Sequence, residues 1–527
     1  MTTASQEGWK PAYNPWLIAV VVSLAAFMEV LDTSIANVAL PYIAGSMGAS
    51  NDESTWVLTS YLVSNAIVLP ISGWVATQFG RKRLFMTCIF FFTVSSLLCA
   101  IAPSLDVLLV SRVLQGIAGG GLQPLAQAIL ADSFPPEKRG LAFSVYGATA
   151  IFAPAIGPTL GGWITDNYSW RWIFLINLPV GFLALALVSH LVADPPYLAR
   201  SRTAGVRIDY MGFALLALGI GALQVMLDRG QEDDWFGSRF IITLAIVAAV
   251  CLTAFVLYEW FRKDPIVEVR LFTNLNFAVA NMLMFMMGVT LFAGVVMMPQ
   301  FLQALMGYTA ENAGMVLSLG ALLVVLELPL IGRLTTVIQA RYLIAAGWIL
   351  MACAMYLSTQ RTDLFISFGA AAWLRVTQAI PIGLVFIPLT AVAYIGIRPE
   401  KSNVVSAMVN FMRNIGASVG TSMVTTVVAR RAQFHQVHLI SRLAADDPVF
   451  NERLQAMTRQ FEEAGAGTDQ AQQQAYGELY AMVQNQAHTL AFIDAYWLLA
   501  VGALIMFCLT FLLKRNDPRA TGGAPAH

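Results

Sequence analysis

The stretch Phe27-Met28-Glu29-Val30-Leu31-Asp32-Thr33-Ser34-Ile35-Ala36-Asn37-Val38-Ala39-Leu40-Pro41 decides how the rest of the chain is read. It closes an apolar run that opens at Trp16, and so has the length and composition of a helix that crosses a membrane. Two carboxylates interrupt it. Charge within a membrane span is costly and usually functional. Glu29 and Asp32 lie three residues apart, so on a helix they share a face.

The chain has 527 residues, 57% of them hydrophobic and only 12% charged, with a mean hydropathy of +0.66. A soluble domain carries about 25% charged residues, so this composition describes an integral membrane protein. The formal net charge is zero, which gives a nucleic-acid role no electrostatic support. The five cysteines all fall in apolar runs, with no CxxC pair. They read as packing residues, not as metal ligands or a disulfide framework. Lys10 before the first apolar run raises a cleavable signal peptide. The run continues past Asp32 without a cleavage site, so it is read as the first span.

A span needs about 20 mostly apolar residues. Fourteen stretches meet this: 16–40, 56–77, 84–102, 107–131, 141–163, 171–192, 210–227, 240–261, 276–299, 311–332, 341–358, 366–395, 403–429 and 489–513. The short, Gly-rich 210–227 controls the parity of everything after it. With a cytoplasmic N-terminus, the inner loops hold Arg81-Lys82-Arg83, Lys138-Arg139, Arg200, Arg202, Arg207, Arg262, Lys263, Arg270, Arg333, Arg341, Arg398 and Lys401. The tails add Lys10, Lys514, Arg515 and Arg519, while the outer loops before residue 430 hold only Arg171, Arg229, Arg239 and Arg361. This alternation predicts fourteen spans with both termini cytoplasmic. Residues 430–488 form a long polar outer segment whose Ala, Gln, Glu and Leu content suits helix. It reads either as a solvated connector or as a docking surface for a partner outside the membrane.

The expected fold is therefore all-α and membrane-integral. A six-helix half (1–200) and a second six-helix half (271–527, including 430–488) are joined by an inserted two-helix hairpin (201–270). Internal repeats of this kind are common in transporters.

Three motifs carry chemistry. The loop after the second span reads Gly73-Trp74-Val75-Ala76-Thr77-Gln78-Phe79-Gly80-Arg81-Lys82-Arg83. Its glycines allow close helix approach, and its cations hold the loop at the cytoplasmic face. The fourth span contains Arg112-Val113-Leu114-Gln115-Gly116, an arginine that either snorkels to the interface or meets a carboxylate, Asp32 being the natural partner. The fifth contains Gly157-Pro158-Thr159-Leu160-Gly161-Gly162, small residues for tight crossing and a proline for a bend.

The first motif resembles the signature loop of the major facilitator superfamily, with Thr77 and Gln78 where the family pattern has Asp and Arg. The second matches the superfamily's R-x-x-Q-G, and the third resembles the antiporter motif of proton-driven drug exporters. The stretch Leu31 to Pro41, the segment Trp170-Arg171-Trp172 to Asn177-Leu178-Pro179-Val180-Gly181, and Leu227-Asp228-Arg229-Gly230 with Asp234-Trp235-Phe236 are similar to the fourteen-span drug:proton antiporters of the EmrB/QacA subfamily. The resemblance covers essentially the whole chain. It implies a proton-driven exporter of hydrophobic or amphipathic compounds in the bacterial inner membrane, with no cofactor beyond the proton gradient and no metal. On the EmrB side of the subfamily it further implies a periplasmic adaptor of the EmrA type and an outer-membrane channel of the TolC type.

On this reading Asp32, Arg112, Glu29 and Glu327 are candidates for proton coupling. Glu29, Gln115, Glu327, Phe292 and Met297 are candidates for substrate contact. Gly73, Gly80, Arg81, Gly157, Pro158, Gly161 and Gly162 form the conformational motifs. Glu327 lies mid-span without a local partner, and the ninth span combines many methionines with phenylalanines, a composition suited to variable apolar surfaces. Arg413 and Asp494 read as a structural pair. A membrane-embedded enzyme is disfavoured: the chain has no HExxH, GxSxG or Walker-type sequence. A dedicated exporter of one metabolite or fatty acid, and a passive facilitator or sensor, are the alternatives.

Overall fold

The computed structural model describes residues 11–135, 138–195, 209–262, 265–398, 401–441 and 448–515. Lys10, Arg200, Arg202, Arg207, Lys263 and Arg519, and the 200/201 boundary between the first two expected units, lie outside the described residues.

The first two helices begin where the sequence supplies a cap. In α1 (Pro15–Met47) the Asn14 side chain accepts from Trp16 N at 3.0 Å, Pro15 takes the first turn, and Gly48 closes the helix at φ +65°. Ser50 and Glu53 form a reciprocal capping box on α2 (Asn51–Phe79). Between α2 and α3 (Arg81–Ile101) stands Gly80 at φ +94°, a conformation in which a Cβ would be strained.

The chain continues through α4 (Leu105–Gly119), α5 (Leu122–Ser133), α6 (Arg139–Asn167), α7 (Trp172–Leu175) and α8 (Asn177–Leu191). Then come α9 (Tyr210–Arg229), α10 (Arg239–Phe261), α11 (Leu275–Ala304), α12 (Ala310–Leu334), α13 (Ala340–Arg361), α14 (Phe368–Val392), α15 (Ser402–Ile440), α16 (Pro448–Glu463) and α17 (Thr468–Thr510). Helices α4 and α5 form one span, as do α7 and α8. Among the described residues, thirteen segments are long and apolar enough to cross a membrane. The fourteenth span is α15, whose apolar character is diluted by buried Asn403, Asn410 and Arg413. All fourteen expected spans are present, including the Gly-rich one at 210–227.

Helices α1–α8 pack mainly on one another, as do α11–α15 with α17. The two sets meet along α6–α12, α6–α14, α2–α15 and α5–α15. Helix α10 leans on α9 and otherwise faces outward. Arg81, Lys82, Arg139, Arg262, Arg333 and Lys401 gather at one end of the bundle, called here the basic end. At the other end α15 runs on to Ile440, α17 starts at Thr468, and α16 packs between them on α17. Residues 430–488 are thus mostly continuations of two spans plus one short helix, stitched by Leu439, Phe450, Leu454, Leu479 and Met482.

Glycines set the closest crossings. A Cβ on Gly416 of α15 would lie 2.0 Å from the Phe285 carbonyl oxygen of α11, and one on Gly157 of α6 would lie 2.4 Å from Ser34 Oγ of α1. Gly161 packs on Ile35 in the same way, whereas Gly162 meets nothing within 4 Å. The expectation that Gly162 serves tight packing is corrected: one residue past Gly161, it turns away from α1. Because the Phe285 obstacle is backbone, Gly416→Ala is expected to lower stability by about 1–3 kcal/mol, while Gly162→Ala, inside the helix with open space at the Cβ, should not lower the thermal unfolding midpoint in detergent.

Candidate functional site

Helix geometry places Glu29 and Asp32 about 60° apart around α1, and packing gives each a different environment. Asp32 is 2% exposed. Arg112 Nη1 of α4 lies 2.6 Å from its Oδ2. Gln115 Nε2 and Asn177 Nδ2 donate to its Oδ1 at 2.9 and 2.7 Å. Arg112 is fully enclosed. It donates from Nε to the Val57 carbonyl at 3.0 Å and from Nη1 to Gln115 at 2.8 Å, and it lies 4.4 Å over the Tyr61 ring and 5.5 Å over that of Phe174. Arg112 therefore does not snorkel: its guanidinium is consumed by the Asp32 cage.

Glu29 turns the other way, toward α2 and α5. Its carboxylate accepts from Tyr61 Oη at 3.1 Å, from Asn65 Nδ2 at 3.0 Å and from Gln123 Nε2. Gln123 Oε1 in turn accepts from Arg413 Nη2 of α15, so a polar chain runs from α1 through α5 into the second helix set. Tyr146 adds a strand to it, sharing its hydroxyl between Gln123 and Asn410, whose amide donates to Gln127 at 2.7 Å. Tyr61 touches both carboxylate environments, with its ring on Arg112 and its hydroxyl on Glu29.

A cavity of about 480 Å³ opens between the two helix sets. Glu29, Gln123 and Arg413 lie at its deep end, and Phe292, Val295 and Leu62 form part of its apolar wall. Its lining comes from the halves of α1, α2, α6, α9, α11 and α15 that point away from the basic end. At the basic end the sets are closed together. Arg81, 1% exposed, pairs with Asp132 and donates to the Ala128 carbonyl at 2.9 Å and to Ser402 Oγ at 3.2 Å. A Cβ on Gly73 would lie 2.8 Å from the Asn403 carbonyl oxygen, and Asn403 Nδ2 donates to Thr77 Oγ1 at 3.4 Å. Thr77, which stands at the acidic position of the loop motif, thus takes part in the closure as a hydroxyl.

Several expectations are corrected. Gln115 does not touch the cavity, because both ends of its amide are engaged by Asp32 and Arg112. Met297 is fully buried in the core of α11, one helical step from the wall formed by Leu291, Phe292, Val295 and Val296. Glu327 is half-buried against Gly383 of α14, among the outward-facing Leu323, Leu326 and Leu330, and lies outside the cavity. Its Oε1 makes no hydrogen bond. Arg413 does not pair with Asp494. That carboxylate is held by Arg431 Nε at 2.5 Å and His435 Nε2 at 2.7 Å, near the far end of α15. Pro158 does sit inside α6, as the motif requires. The residues that a search for charges overlooks are uncharged: Tyr61, Asn65, Gln123 and Asn410. Their signal was polarity inside apolar spans.

The second helix set carries an incomplete echo of the Asp32 cage. Arg375 and Gln378 of α14 repeat the spacing of Arg112 and Gln115, and Gln378 donates to Ser358 at 2.8 Å. The position facing Arg375 is Gly294, where a Cβ would lie 2.9 Å from Nη1.

A profile of the Major Facilitator Superfamily matches residues 22–421. The chain is 37% identical to the multidrug export protein EmrB of Escherichia coli K12 over 511 residues, 97% of this chain and 98% of that one. It is 38% identical to EmrB of Haemophilus influenzae over 498 residues, 94% and 95% of the two chains. The solved proton:xylose symporter XylE shares the fold with a TM-score of 0.62 at 14% identity, covering 96% of this chain and 97% of that one.

The Asp32–Arg112 pair makes a non-additive prediction. Arg112→Leu strands a buried carboxylate and is expected to cost about 3–5 kcal/mol. Adding Asp32→Leu in the same chain should recover much of that loss, as measured by thermal unfolding in detergent.

Proposed function

The chain belongs to the major facilitator superfamily, and we propose that it is a proton-driven exporter of hydrophobic or amphipathic toxic compounds. The observation that carries this reading is the arrangement around Tyr61: a carboxylate in the cavity, Glu29, is one side chain away from a sealed carboxylate–guanidinium pair. The near-full-length identity to export proteins of the EmrB name supports the substrate class.

In the mechanism, substrate occupies the cavity while Asp32 and Glu29 alternate between charged and protonated forms. A proton arriving at Asp32 cancels the charge that holds Arg112, Gln115 and Asn177, and so loosens the contact between α1 and α4. Tyr61 moves with Arg112, which passes the change to Glu29. Loss of charge at Glu29 weakens the Gln123–Arg413 bridge between the helix sets. The ligand and the proton are coupled because each favours a different arrangement of the same bridge. Export to the other side requires the basic-end closure at Arg81–Ser402 and Gly73–Asn403 to open while the cavity end closes.

The similarity to bacterial export proteins supports an inner-membrane location, and the loop charges support both termini being cytoplasmic, so that the cavity faces the periplasm in this state. On that orientation the helical extension at residues 430–488 projects into the periplasm, where an adaptor of the EmrA type feeding a TolC-type channel would meet it.

In proteoliposomes with an imposed pH gradient, the wild-type protein is expected to move a hydrophobic dye against its gradient, and an uncoupler should stop it. Asp32→Asn should insert and fold yet lose gradient-driven transport. Undiminished transport by that variant would overturn the coupling assignment.

A further inference from the structure

The inserted helix α9 belongs to the site. It fills the space between α2 and α15, one from each helix set, and is bonded to both. Thr59 of α2 donates to Asp228, and Arg229 Nη1 donates to Thr55 Oγ1 at 3.0 Å. Gln224 Nε2 donates to Ser418 Oγ of α15 at 2.9 Å, and Trp235 Nε1 donates to Thr426 Oγ1 at 2.9 Å. The turn after α9 is forced into its shape. Asp234 and Trp235 have φ of +56° and +46°, unusual for residues with a Cβ. A Cβ on Gly230 would lie 2.8 Å from the Trp235 ring. This strain sets Trp235 back against α15, and with it one face of α9 lines the cavity.

That face carries a carboxylate of a distinct kind. Glu29 accepts three hydrogen bonds and is 3% exposed. Glu232, at the rim, lies 3.3 Å from Arg229. Asp228 is exposed within the cavity and accepts from the Thr59 hydroxyl. Arg229, next in sequence, is engaged by Glu232, by Asp233 at 3.6 Å and by the Trp56 ring at 5.6 Å, and its charge acts on Asp228 only from a distance. Among the described residues, no cation forms an ion pair with Asp228.

We propose that Asp228 is a specificity-determining residue of the cavity, taking the positive centre of an amphipathic cation whose apolar body lies against Leu62, Leu227, Phe292 and Val295. The inserted hairpin then selects ligands as well as sealing the gap between α2 and α15. This deepens the exporter reading and rests on it for physiological meaning, but ligand recognition is measurable without transport.

The test compares two ligands with the same triphenyl body: methyltriphenylphosphonium, which is cationic, and triphenylphosphine oxide, which is neutral. Binding to the detergent-purified full chain is followed by calorimetry at low ionic strength. A charge-assisted contact in a partly dry site should favour the cation by roughly tenfold in Kd. Asp228→Asn is expected to erase that preference, and Asp228→Glu to retain it. The proposal is overturned if Asp228→Asn keeps the preference, if it weakens both ligands equally, or if the wild-type protein shows no preference. A wild type that prefers the cation in binding yet moves neither compound in proteoliposomes would refute the exporter reading and leave Asp228 in place.

Discussion

A carboxylate and a guanidinium that cannot reach water must neutralise each other, and the first helix set is arranged so that Asp32 and Arg112 do. Each charge is surrounded by polar partners: Gln115 and Asn177 on Asp32, the Val57 carbonyl and Gln115 on Arg112, whose Nη2 alone lacks a hydrogen bond, with aromatic faces on either side. Desolvation makes such a pair tolerable only with near-complete satisfaction. That requirement fixes the relative placement of α1, α2, α4 and α8. The glycines of α6 serve the same end from behind, because Gly157 and Gly161 leave room for Ser34 and Ile35 and let α6 lie close against α1. A pair held this tightly is also sensitive to one proton, since neutralising Asp32 leaves Arg112 without its counter-charge.

The two helix sets share an architecture but not a chemistry. Arg375 and Gln378 stand where symmetry would put the partners of a second acid, and Gly294 leaves that acid out. The second set contributes its cation elsewhere, through Arg413 and Gln123 to Glu29. One set thus holds a complete buried pair, and the other holds the far end of a bridge across the cavity. The state described here is closed at the basic end by Arg81, Ser402, Gly73 and Asn403, contacts that any alternation of access must break.

The inserted hairpin and the helical extension occupy the periphery differently. Helix α10 faces outward along most of its length, whereas α9 is cross-linked to α2 and α15 by hydrogen bonds. The extension is built from spans that continue past the apolar region, so its orientation is rigidly tied to α15 and α17.

The fourteen spans were legible from residue order because hydrocarbon demands about 20 apolar residues per crossing and backbone bonds satisfied within the segment. The short 210–227 span obeyed the same rule. Arg112 was legible as the partner of Asp32, since a cation inside a span needs a carboxylate and the first span offered one. What the order of residues could not decide was which carboxylate faces the cavity. Glu29 and Asp32 are one turn apart on α1, and only the placement of α2, α4, α5 and α8 assigns them to separate surroundings. Phe292 and Met297 divide in the same way, one on the cavity wall and one in the core. Arg413 found Gln123, a partner 290 positions away, and Asp494 found Arg431 and His435. Composition and periodicity determined which segments cross the membrane, because that depends on local length and polarity. Tertiary packing alone decided which polar group meets which, because side-chain partners in a bundle are set by the rotation of whole helices.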